Sequence, residues 1–450
     1  MTFDLVLRSR RAVLPAGEAP AAVGVRAGRI AAIGGYDDFL PAAQTVDLAD
    51  DALLPGLVDT HVHINEPGRT EWEGFATATA SAAAGGVTTL IDMPLNSLPP
   101  TVDAAALDVK RAAASGHCAV DTGFWGGAVP GNLGELAALH EAGAFGFKCF
   151  LSDSGVPEFP PLDQAGLLAA AREIARLGSV LLVHAEDPGA LTAAPDSPRY
   201  RDFLASRPAR AEVDAVARVI EAAEKTGARV HILHLSAAGA ADLIADAKAR
   251  GTAVTAETCP HFLVLDADEV PSGATEFKCC PPIRDAGNRD RLWAALADGT
   301  IDCVVSDHSP ATEDLKRTGS FATAWGGISS LQLGLSLMWT EARRRGYGLA
   351  EVTAWMSTAP ARLAGLDTTA GKGSIAVGNA ADLVRFVPGE TVTVDPLRLA
   401  HRNPVTPYAG RELTGRVRST WLAGALPGAG RLLSREPARH LSPTPESGRS

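Results

Sequence analysis

Residue types that bind metal ions stand at the carboxyl ends of five short apolar runs in this sequence, and this placement constrains the fold more than any other feature. The first run, 53–60, is followed by two histidines with one residue between them, and side chains two apart on a strand point the same way. In a (β/α)₈ barrel the carboxyl ends of all strands meet at one face, where the chemistry is found. The sequence therefore predicts one polar site on a barrel, built from His61, His63, Lys148, His184, His234 and Asp307.

Strand-like and helix-like patterns alternate through the middle of the chain, which predicts parallel βαβ units. Eight such units predict a closed (β/α)₈ barrel rather than an open sheet. The predicted strands are 53–60, 87–92, 118–124, 145–150, 180–184, 229–234, 252–257 and 302–306. The predicted helices are 71–84, 103–115, 132–142, 163–177, 211–226, 237–249, 288–297 and 328–344.

The two ends of the chain have a different pattern, in which short strand-like runs are separated by turns. We predict that residues 1–52 and 371–430 pair into one small composite β-sandwich domain beside a barrel formed by residues 53–370. Residues 431–450 are rich in Pro, Ser, Arg and Glu, a composition that predicts disorder.

The bulk composition limits the class of protein. With 450 residues the chain is too long for one ordinary domain, and 46% hydrophobic residues suffice for a large core. A net charge of -11 argues against a nucleic-acid partner, which needs clustered Lys and Arg, and no apolar run reaches membrane-spanning length. The six cysteines have no CxxC spacing and the N-terminus lacks a signal-peptide pattern, so we expect reduced thiols in a cytoplasmic protein.

The six polar residues suit divalent metal ions, because neutral imidazole and carboxylate are good ligands for zinc and similar ions. Lys148 is the unexpected member, since an ammonium repels a metal. Burial lowers the pKa of a lysine and frees the amine, which can add carbon dioxide and become an anionic carbamate. We predict two ions per subunit, with zinc as the first candidate and cobalt, manganese or iron as alternatives. His61, His63 and Asp307 would bind one ion, His184 and His234 the other, and carboxylated Lys148 would bridge both.

A site of this kind supports hydrolysis. Two ions about 3.5–4 Å apart can acidify a water and polarise the carbonyl that it attacks. Asp307 stands where it could take the proton of this water and pass it to a leaving nitrogen, first as general base and then as general acid. Glu257 also ends a predicted strand, and we expect it to orient a ligand histidine through its other ring nitrogen.

Each of these residues has a plainer interpretation when it is taken alone. The first two histidines could be structural or exposed, and Lys148 could run along apolar surface until its ammonium reaches water. The other two histidines could be hydrogen-bonded packing residues, and Asp307 could cap a following turn. All six falling at strand ends is a much rarer coincidence than any single case, so the metal site is favoured.

Beyond these six residues, the chain resembles the cyclic amidohydrolases of the amidohydrolase superfamily over about residues 3–426. Within this family the resemblance is strongest to the allantoinase branch. It is carried by 59–69, Trp72-Glu73-Gly74-Phe75, 92–97, 146–151, 155–160, Glu257-Thr258-Cys259-Pro260-His261, Lys278-Cys279-Cys280-Pro281-Pro282-Ile283-Arg284, 306–310 and the closing segment 371–384.

The resemblance implies hydrolysis of the hydantoin ring of allantoin to allantoate, a step of purine breakdown, by a homotetramer with the same six metal ligands. It also implies positions that hold the ring amide and the ureido group, for which we take Asn96, the Cys280 backbone, Trp325 and Gly327. The plainer interpretations are that Asn96 is a turn residue and that Trp325 is a packing aromatic beside a glycine turn.

Related branches of the family remain alternatives. Dihydroorotases typically carry an Arg shortly after the first histidine pair, whereas this chain has Ile64-Asn65-Glu66. Dihydropyrimidinases and hydantoinases typically place a Tyr a few residues after the bridging lysine, and residues 149–154 contain none. Some members of the superfamily have lost metal ligands and serve as non-catalytic scaffolds, but this chain retains all six.

Overall fold

The computed structural model describes residues 2–435 of the 450-residue chain. Most of the segment predicted to be disordered, residues 436–450, lies outside the described residues. At the start of the predicted segment, which begins at residue 431, the Arg431 amide donates to the Asp121 carboxylate at 2.8 Å, and the Leu433 amide donates to the Thr122 carbonyl at 2.8 Å. No helix within residues 2–435 is long and apolar enough to cross a membrane. The domain boundaries near 52, 370 and 430 stay predictions.

Sixteen strands in the described residues form three sheets. In chain order they are β1 (Phe3–Leu14), β2 (Gly17–Arg26), β3 (Arg29–Gly34), β4 (Ala42–Asp47), β5 (Ala52–Pro55), β6 (Leu57–Val62), β7 (Val87–Asp92), β8 (Asp121–Phe124), β9 (Gly126–Gly127), β10 (Phe147–Phe150), β11 (Val180–His184), β12 (Arg229–Ile232), β13 (Val254–Thr258), β14 (Cys303–Val304), β15 (Leu383–Thr393) and β16 (Glu412–Trp421).

Two parallel sheets, β6 to β8 and β9 to β14, together form a barrel. Strands β8 and β9 are halves of one bent strand on either side of Trp125, because β8 pairs with β7 while β9 pairs with β10. The other seam closes where Val62 of β6 bridges His308 beyond β14, and the His63 amide donates to the His308 carbonyl at 2.8 Å. The ring of eight parallel strands confirms the predicted (β/α)₈ fold.

Helices follow the barrel strands along the chain. They are α1 (Phe75–Ala84), α2 (Ala104–Ala114), α3 (Leu136–Glu141), α4 (Gln164–Leu177), α5 (Tyr200–Ser206), α6 (Ala209–Thr226), α7 (Ala241–Ala249), α8 (Pro260–Val264), α9 (Ala286–Ala297), α10 (Glu313–Lys316), α11 (Gly334–Arg344), α12 (Leu349–Thr353), α13 (Ala359–Leu363) and α14 (Leu366–Thr369), with a π-helical turn at Ala354–Thr358. The predicted helix 328–344 starts only at Gly334, because Ile328 pairs with His308 in strand-like fashion.

Helix α4 illustrates how local sequence fixes these elements. The Asp163 side chain accepts the Gly166 amide at 2.7 Å and caps the first turn, while Gly178, in the left-handed region at φ 61°, ends the last. Leu167, Ala171 and Ile174 recur at helical spacing and are fully buried. The apolar stripe therefore attaches the helix to the barrel wall.

Both ends of the chain contribute to a β-rich domain, as predicted. Strands β1 to β5 join β15 and β16 in one seven-stranded mixed sheet. The N-terminal and C-terminal parts meet where β5 pairs antiparallel with β15, with Leu54 opposite Val384. These two side chains are fully buried, so the junction between the two chain ends is part of the core.

The predicted strand 53–60 is in fact two strands that belong to different sheets. Strand β5 joins the mixed sheet, and β6 joins the barrel. Gly56 lies between them, where an added Cβ would stand 2.2 Å from Thr88 Oγ1, and its amide donates to the Asp382 carbonyl at 2.8 Å. Only glycine fits this close approach, so Gly56 sets the position from which β6 enters the barrel.

Candidate metal centre

Strand β6 delivers the first two imidazoles to the carboxyl end of the barrel. His61 is fully buried and His63 is 6% exposed. His61 Nδ1 donates to Glu257 Oε1 at 2.5 Å, and His63 Nδ1 donates to the Leu95 carbonyl at 3.2 Å. Because these bonds hold the ring proton on Nδ1, each Nε2 presents its lone pair to the centre. Both rings can therefore bind a metal ion through Nε2.

Lys148 on β10 reaches the point where these two lone pairs converge. Its Nζ lies 3.3 Å from His61 Nε2 and 3.4 Å from His63 Nε2, and the side chain is buried. None of the acidic residues between 2 and 435 forms an ion pair with it. Burial lowers the pKa of Lys148, which favours the neutral amine that carbamate formation requires.

Asp307 joins the group from the segment after β14. Its Oδ1 lies 3.2 Å from His61 Nε2 and 3.8 Å from His63 Nε2, and it accepts the Ser309 hydroxyl at 3.2 Å. Burial raises the pKa of the Asp307 carboxyl. The backbone of Asp307 has φ 44°, a left-handed conformation that non-glycine residues adopt mostly at functional sites.

His184 and His234 form the second half of the centre. His184 Nδ1 lies 3.0 Å from His234 Nε2, and His184 Nε2 donates to Glu186 at 2.7 Å. His234 also has a left-handed backbone, at φ 35°, and its ring centroid lies 5.3 Å from that of His61. Burial lowers the pKa of both rings, which keeps them neutral and able to bind a cation.

The structure thus brings all six predicted residues together in two adjacent groups, and the donor set fits divalent ions. The ligand atoms of His61, His63 and Asp307 all lie within 4.8 Å of one another. Zinc binds imidazole nitrogen at about 2.0–2.1 Å, so two nitrogens 3.0 Å apart, as in His184 and His234, can share an ion. The assignment of each ligand to an ion stays a prediction.

Glu257 on β13 supports the centre from behind, as the sequence led us to expect. Its Oε1 accepts His61 Nδ1 and also the His234 amide, at 3.3 Å, and its Oε2 lies 3.0 Å from His231 Nε2. His231 Nδ1 lies in turn 2.7 Å from the Thr255 hydroxyl. Glu257 and His231 are fully buried, so this chain of hydrogen bonds fixes the tautomer and the orientation of His61.

The four predicted substrate contacts lie in loops at the same end of the barrel. Asn96 follows the Leu95 carbonyl that binds His63, and its amide donates to Asn65 Oδ1 at 3.1 Å. The Trp325 ring packs edge-on to Trp72, with centroids 4.8 Å apart. The other two predicted contacts are Cys280, which is half-buried, and Gly327, whose amide donates to the Lys278 carbonyl at 2.8 Å.

Sequence reasoning missed an ion pair beside the second imidazole pair. Glu186 accepts two bonds from the Arg207 guanidinium, at 2.5 and 3.1 Å, and also accepts His184 Nε2. These bonds hold the pKa of the Glu186 carboxyl at about 2 despite its burial. The signal for Glu186 was its position two residues after His184, whereas Arg207 lies in a distant segment that nothing in the sequence singled out.

His308, the residue after Asp307, also supports the site. Its Nε2 lies 3.1 Å from Glu73 Oε2, and its Nδ1 accepts the Ser330 amide at 3.1 Å. Since the His308 carbonyl also accepts the His63 amide, the residue closes the barrel next to Asp307 and holds the loop that follows.

This fold and site correspond to a known class of hydrolase. The model of the amidohydrolase family matches residues 52–426, and the chain belongs to that family. Among named relatives, it is 60% identical to "Allantoinase" of Streptomyces avermitilis over 96% of this chain and 99% of the relative. It is 42% identical to "Allantoinase" of Arabidopsis thaliana over 93% of this chain and 87% of the relative.

Solved structures give the same architecture. The L-hydantoinase (dihydropyrimidinase) of Arthrobacter aurescens superposes with a TM-score of 0.92 at 31% identity, covering 96% of this chain and all of that one. The dihydropyrimidinase of Brevibacillus agri gives a TM-score of 0.86 at 29% identity, covering 96% of this chain and 98% of that one.

Proposed function

We propose that this protein is an allantoinase, which opens the five-membered hydantoin ring of allantoin by hydrolysis of a ring amide and releases allantoate. The observation that carries the proposal is the convergence of six buried ligand-type side chains at one end of the barrel. The near-complete, 60% identical match to a relative named allantoinase supports the choice of substrate.

The centre would hold two divalent ions, for which zinc is our first choice. His61, His63 and Asp307 would bind one ion, and His184 and His234 the other. When bound, such ions lower the pKa of a water and polarise the attacked carbonyl. Burial lowers the pKa of His61 and His63 and so favours neutral rings. Hydrogen bonds from the far ring nitrogens of His61, His63 and His184 leave their other nitrogens free to bind an ion, which supports this assignment.

Lys148 would bridge the ions as a carbamate. Its neutral amine would attack the carbon of carbon dioxide, form one N–C bond and release one proton, and the product would carry two oxygens and one negative charge. A buried amine without an acidic partner, between two imidazole nitrogens at 3.3 and 3.4 Å, supports this modification. It converts a repulsive ammonium into a ligand.

Asp307 would move the proton of the reaction. Its carboxylate would accept a proton from the attacking water and then deliver it to the ring nitrogen as the C–N bond breaks, so that the leaving nitrogen becomes the terminal NH2 of a ureido group. Burial raises the pKa of Asp307 towards the range in which a carboxyl can both accept and donate near neutral pH. Its exposed fraction of only 7% limits exchange of that proton with bulk water.

Asn96, the Cys280 backbone, Trp325 and Gly327 would hold the ring amide and the ureido group of the substrate. They stand on loops after β7, β13 and β14, at the end of the barrel that carries the ligands. Asn96 is 7% exposed, and its side-chain oxygen has no hydrogen-bond partner among the described residues, so it can accept a substrate N–H.

The test is a hydrolysis assay of the purified, metal-loaded protein on allantoin, hydantoin, dihydrouracil and dihydroorotate side by side. Preferential opening of allantoin is the expected result. Preference for hydantoin or dihydrouracil would keep the chemistry and move the protein to the hydantoinase branch, which the similarity to solved hydantoinases makes the second candidate. No turnover of any of the four by a protein that binds metal would favour a scaffold role.

We further propose a cytoplasmic homotetramer. The six cysteines are all free in the described residues, in keeping with a reducing compartment. Light scattering coupled to size-exclusion chromatography measures the assembly directly, and a mass other than four subunits would contradict this part of the proposal.

A further inference from the structure

Lys316, at the end of α10, is a buried ammonium with an unusual set of partners. It is 3% exposed, and its Nζ donates to three backbone carbonyls: Lys278 at 3.3 Å, Trp325 at 2.8 Å and Gly327 at 2.5 Å. An ammonium has three N–H donors, so each is used. Within residues 2–435 no carboxylate forms an ion pair with it. The charge is therefore stabilised by backbone alone.

These carbonyls come from two different loops. Lys278 precedes Cys280 in the loop after β13, whereas Trp325 and Gly327 belong to the loop after β14. Lys278 repeats the pattern in the opposite direction, since its own Nζ donates to the Ala324 carbonyl at 2.6 Å. Two buried ammonium groups thus tie the same pair of loops, and these loops hold three of the four proposed substrate contacts.

The tied loops border the reacting groups. An added Cβ at Gly327 would lie 2.3 Å from the Ser309 carbonyl, and the Ser309 hydroxyl donates to Asp307. The next residue, Ile328, accepts the Ser309 amide at 3.0 Å. A displacement of Gly327 would therefore move Ser309, which contacts Asp307, the proposed proton carrier.

We call the hydrogen bonds from Lys316 and Lys278 that join these two loops the loop clamp. Trp325 connects this clamp to loops that follow other barrel strands. Its ring packs against Trp72, and Trp72 in turn lies under the Arg69 guanidinium, 5.3 Å from the ring centroid. Arg69 donates to the Asn96 carbonyl at 2.6 Å and to Glu158 at 2.5 Å. The loops after β6, β7, β10 and β14 thus meet in one contact chain that ends at the Lys316 ammonium.

We propose that Lys316 is a positioning residue that fixes the Trp325–Gly327 loop against the Lys278–Cys280 loop, so that the two backbones together form the wall that recognises the substrate. This inference rests on the proposed function for the identity of the substrate. The clamp itself is a property of the protein without substrate. Burial lowers the pKa of Lys316 to about 8, in keeping with an ammonium that has only dipoles as partners.

The test compares Lys316→Met, which keeps the length of the side chain and removes all donors, with Lys225→Met. Lys225 lies on α6 with 56% of its side chain exposed and pairs with Glu221, so this control makes the same chemical change far from the loops. Metal content, melting temperature, KM and kcat on allantoin, and hydrogen exchange of the 317–327 backbone are measured for both.

We expect Lys316→Met to retain its metal and to raise KM about tenfold or more. The bonds from Lys316 hold the two loops in their substrate-binding arrangement, and one such charge-assisted bond alone is worth roughly a factor of ten. Because the loops would bind the substrate and the transition state equally, kcat should stay within about threefold of the wild type. Exchange should accelerate in 317–327 and stay unchanged in the control. A merely structural role would lower the active fraction, and thus apparent kcat, without changing KM.

Unchanged KM together with unchanged exchange in 317–327 would overturn the proposal. If Lys316→Met does not fold, Lys316→Arg retains the charge, but its planar guanidinium cannot direct three donors to these carbonyls, so it should show the same two changes more weakly. A wild-type protein that leaves allantoin intact would refute the proposed function, whereas the exchange measurement, which needs no substrate, would still decide whether the clamp exists.

Discussion

Removing the Glu257 carboxylate should weaken metal binding, although Glu257 itself touches no metal in the proposed centre. Both carboxylate oxygens are used: Oε1 accepts His61 Nδ1 at 2.5 Å, and Oε2 lies 3.0 Å from His231 Nε2. In Glu257→Gln the side-chain NH2 group would replace the oxygen that now faces His231. His231 Nε2 can accept a hydrogen bond from this group only if the ring proton moves to Nδ1, on the side of Thr255. The amide oxygen would still accept the hydrogen bond from His61 Nδ1, but it would no longer carry a negative charge. In Glu257→Ala both imidazoles lose their partner.

The expected magnitudes follow from these contacts. Loss of a partner that orients a ligand histidine costs about 10–100-fold in metal affinity or activity, and we expect Glu257→Gln near the lower end and Glu257→Ala near the upper end. Unpaired buried imidazoles in Glu257→Ala should also lower the free energy of unfolding by about 1–3 kcal/mol. Chelator competition measures the affinity, and calorimetry measures the stability.

A matched control is Glu221→Gln on α6, where the carboxylate pairs with exposed Lys225 and is itself half exposed. It should change neither quantity. A Glu257→Ala protein that binds metal within about twofold of the wild type would refute the reasoning, because orientation by a hydrogen-bonded partner would then contribute nothing.

Three further substitutions test separate parts of the site and fold. Asp307→Asn should keep most of the fold and lower kcat by more than about 10²-fold, because the amide cannot carry the proton; a kcat near the wild-type value would exclude this role. Lys148→Ala should lose metal as well as activity, which metal analysis of the purified variant checks. Lys372→Met should leave kcat unchanged but lower the free energy of unfolding by about 3 kcal/mol, since Lys372 pairs with buried Asp121 and Asp382 at 2.7 and 2.5 Å. An unaltered melting curve for Lys372→Met would contradict the last expectation.

The barrel and the convergence of the six proposed ligands could be predicted from the sequence because their signal is local. A strand of apolar residues that ends in His184 places that side chain at the carboxyl end of the barrel whatever the neighbouring strands contain. Several such ends must then converge, since the barrel closes. Closure is confirmed here by the Val62–His308 bridge.

What the sequence did not reveal depends on contacts between distant segments. The break at Gly56 follows from the close approach of Thr88, and the late start of α11 follows from the pairing of Ile328 with His308. Arg207 and Lys316 stand in ordinary polar surroundings of the sequence. Only the fold shows that Lys316 is buried and that Arg207, with 18% of its side chain exposed, pairs with Glu186. Periodicity detects which face of an element is buried but not which partner a buried charge will meet.

The placement of acidic groups explains why Lys148 can be the neutral member of the centre. A carboxylate paired with its Nζ would stabilise the ammonium and oppose the proposed carbamate. Two buried acids of the centre have other partners, since Glu257 accepts from His61 and lies 3.0 Å from His231, and Glu186 is held by Arg207. The charges of these two acids therefore act on the far side of the imidazoles, where they strengthen them as ligands. The remaining acid of the centre, Asp307, forms no ion pair with Lys148.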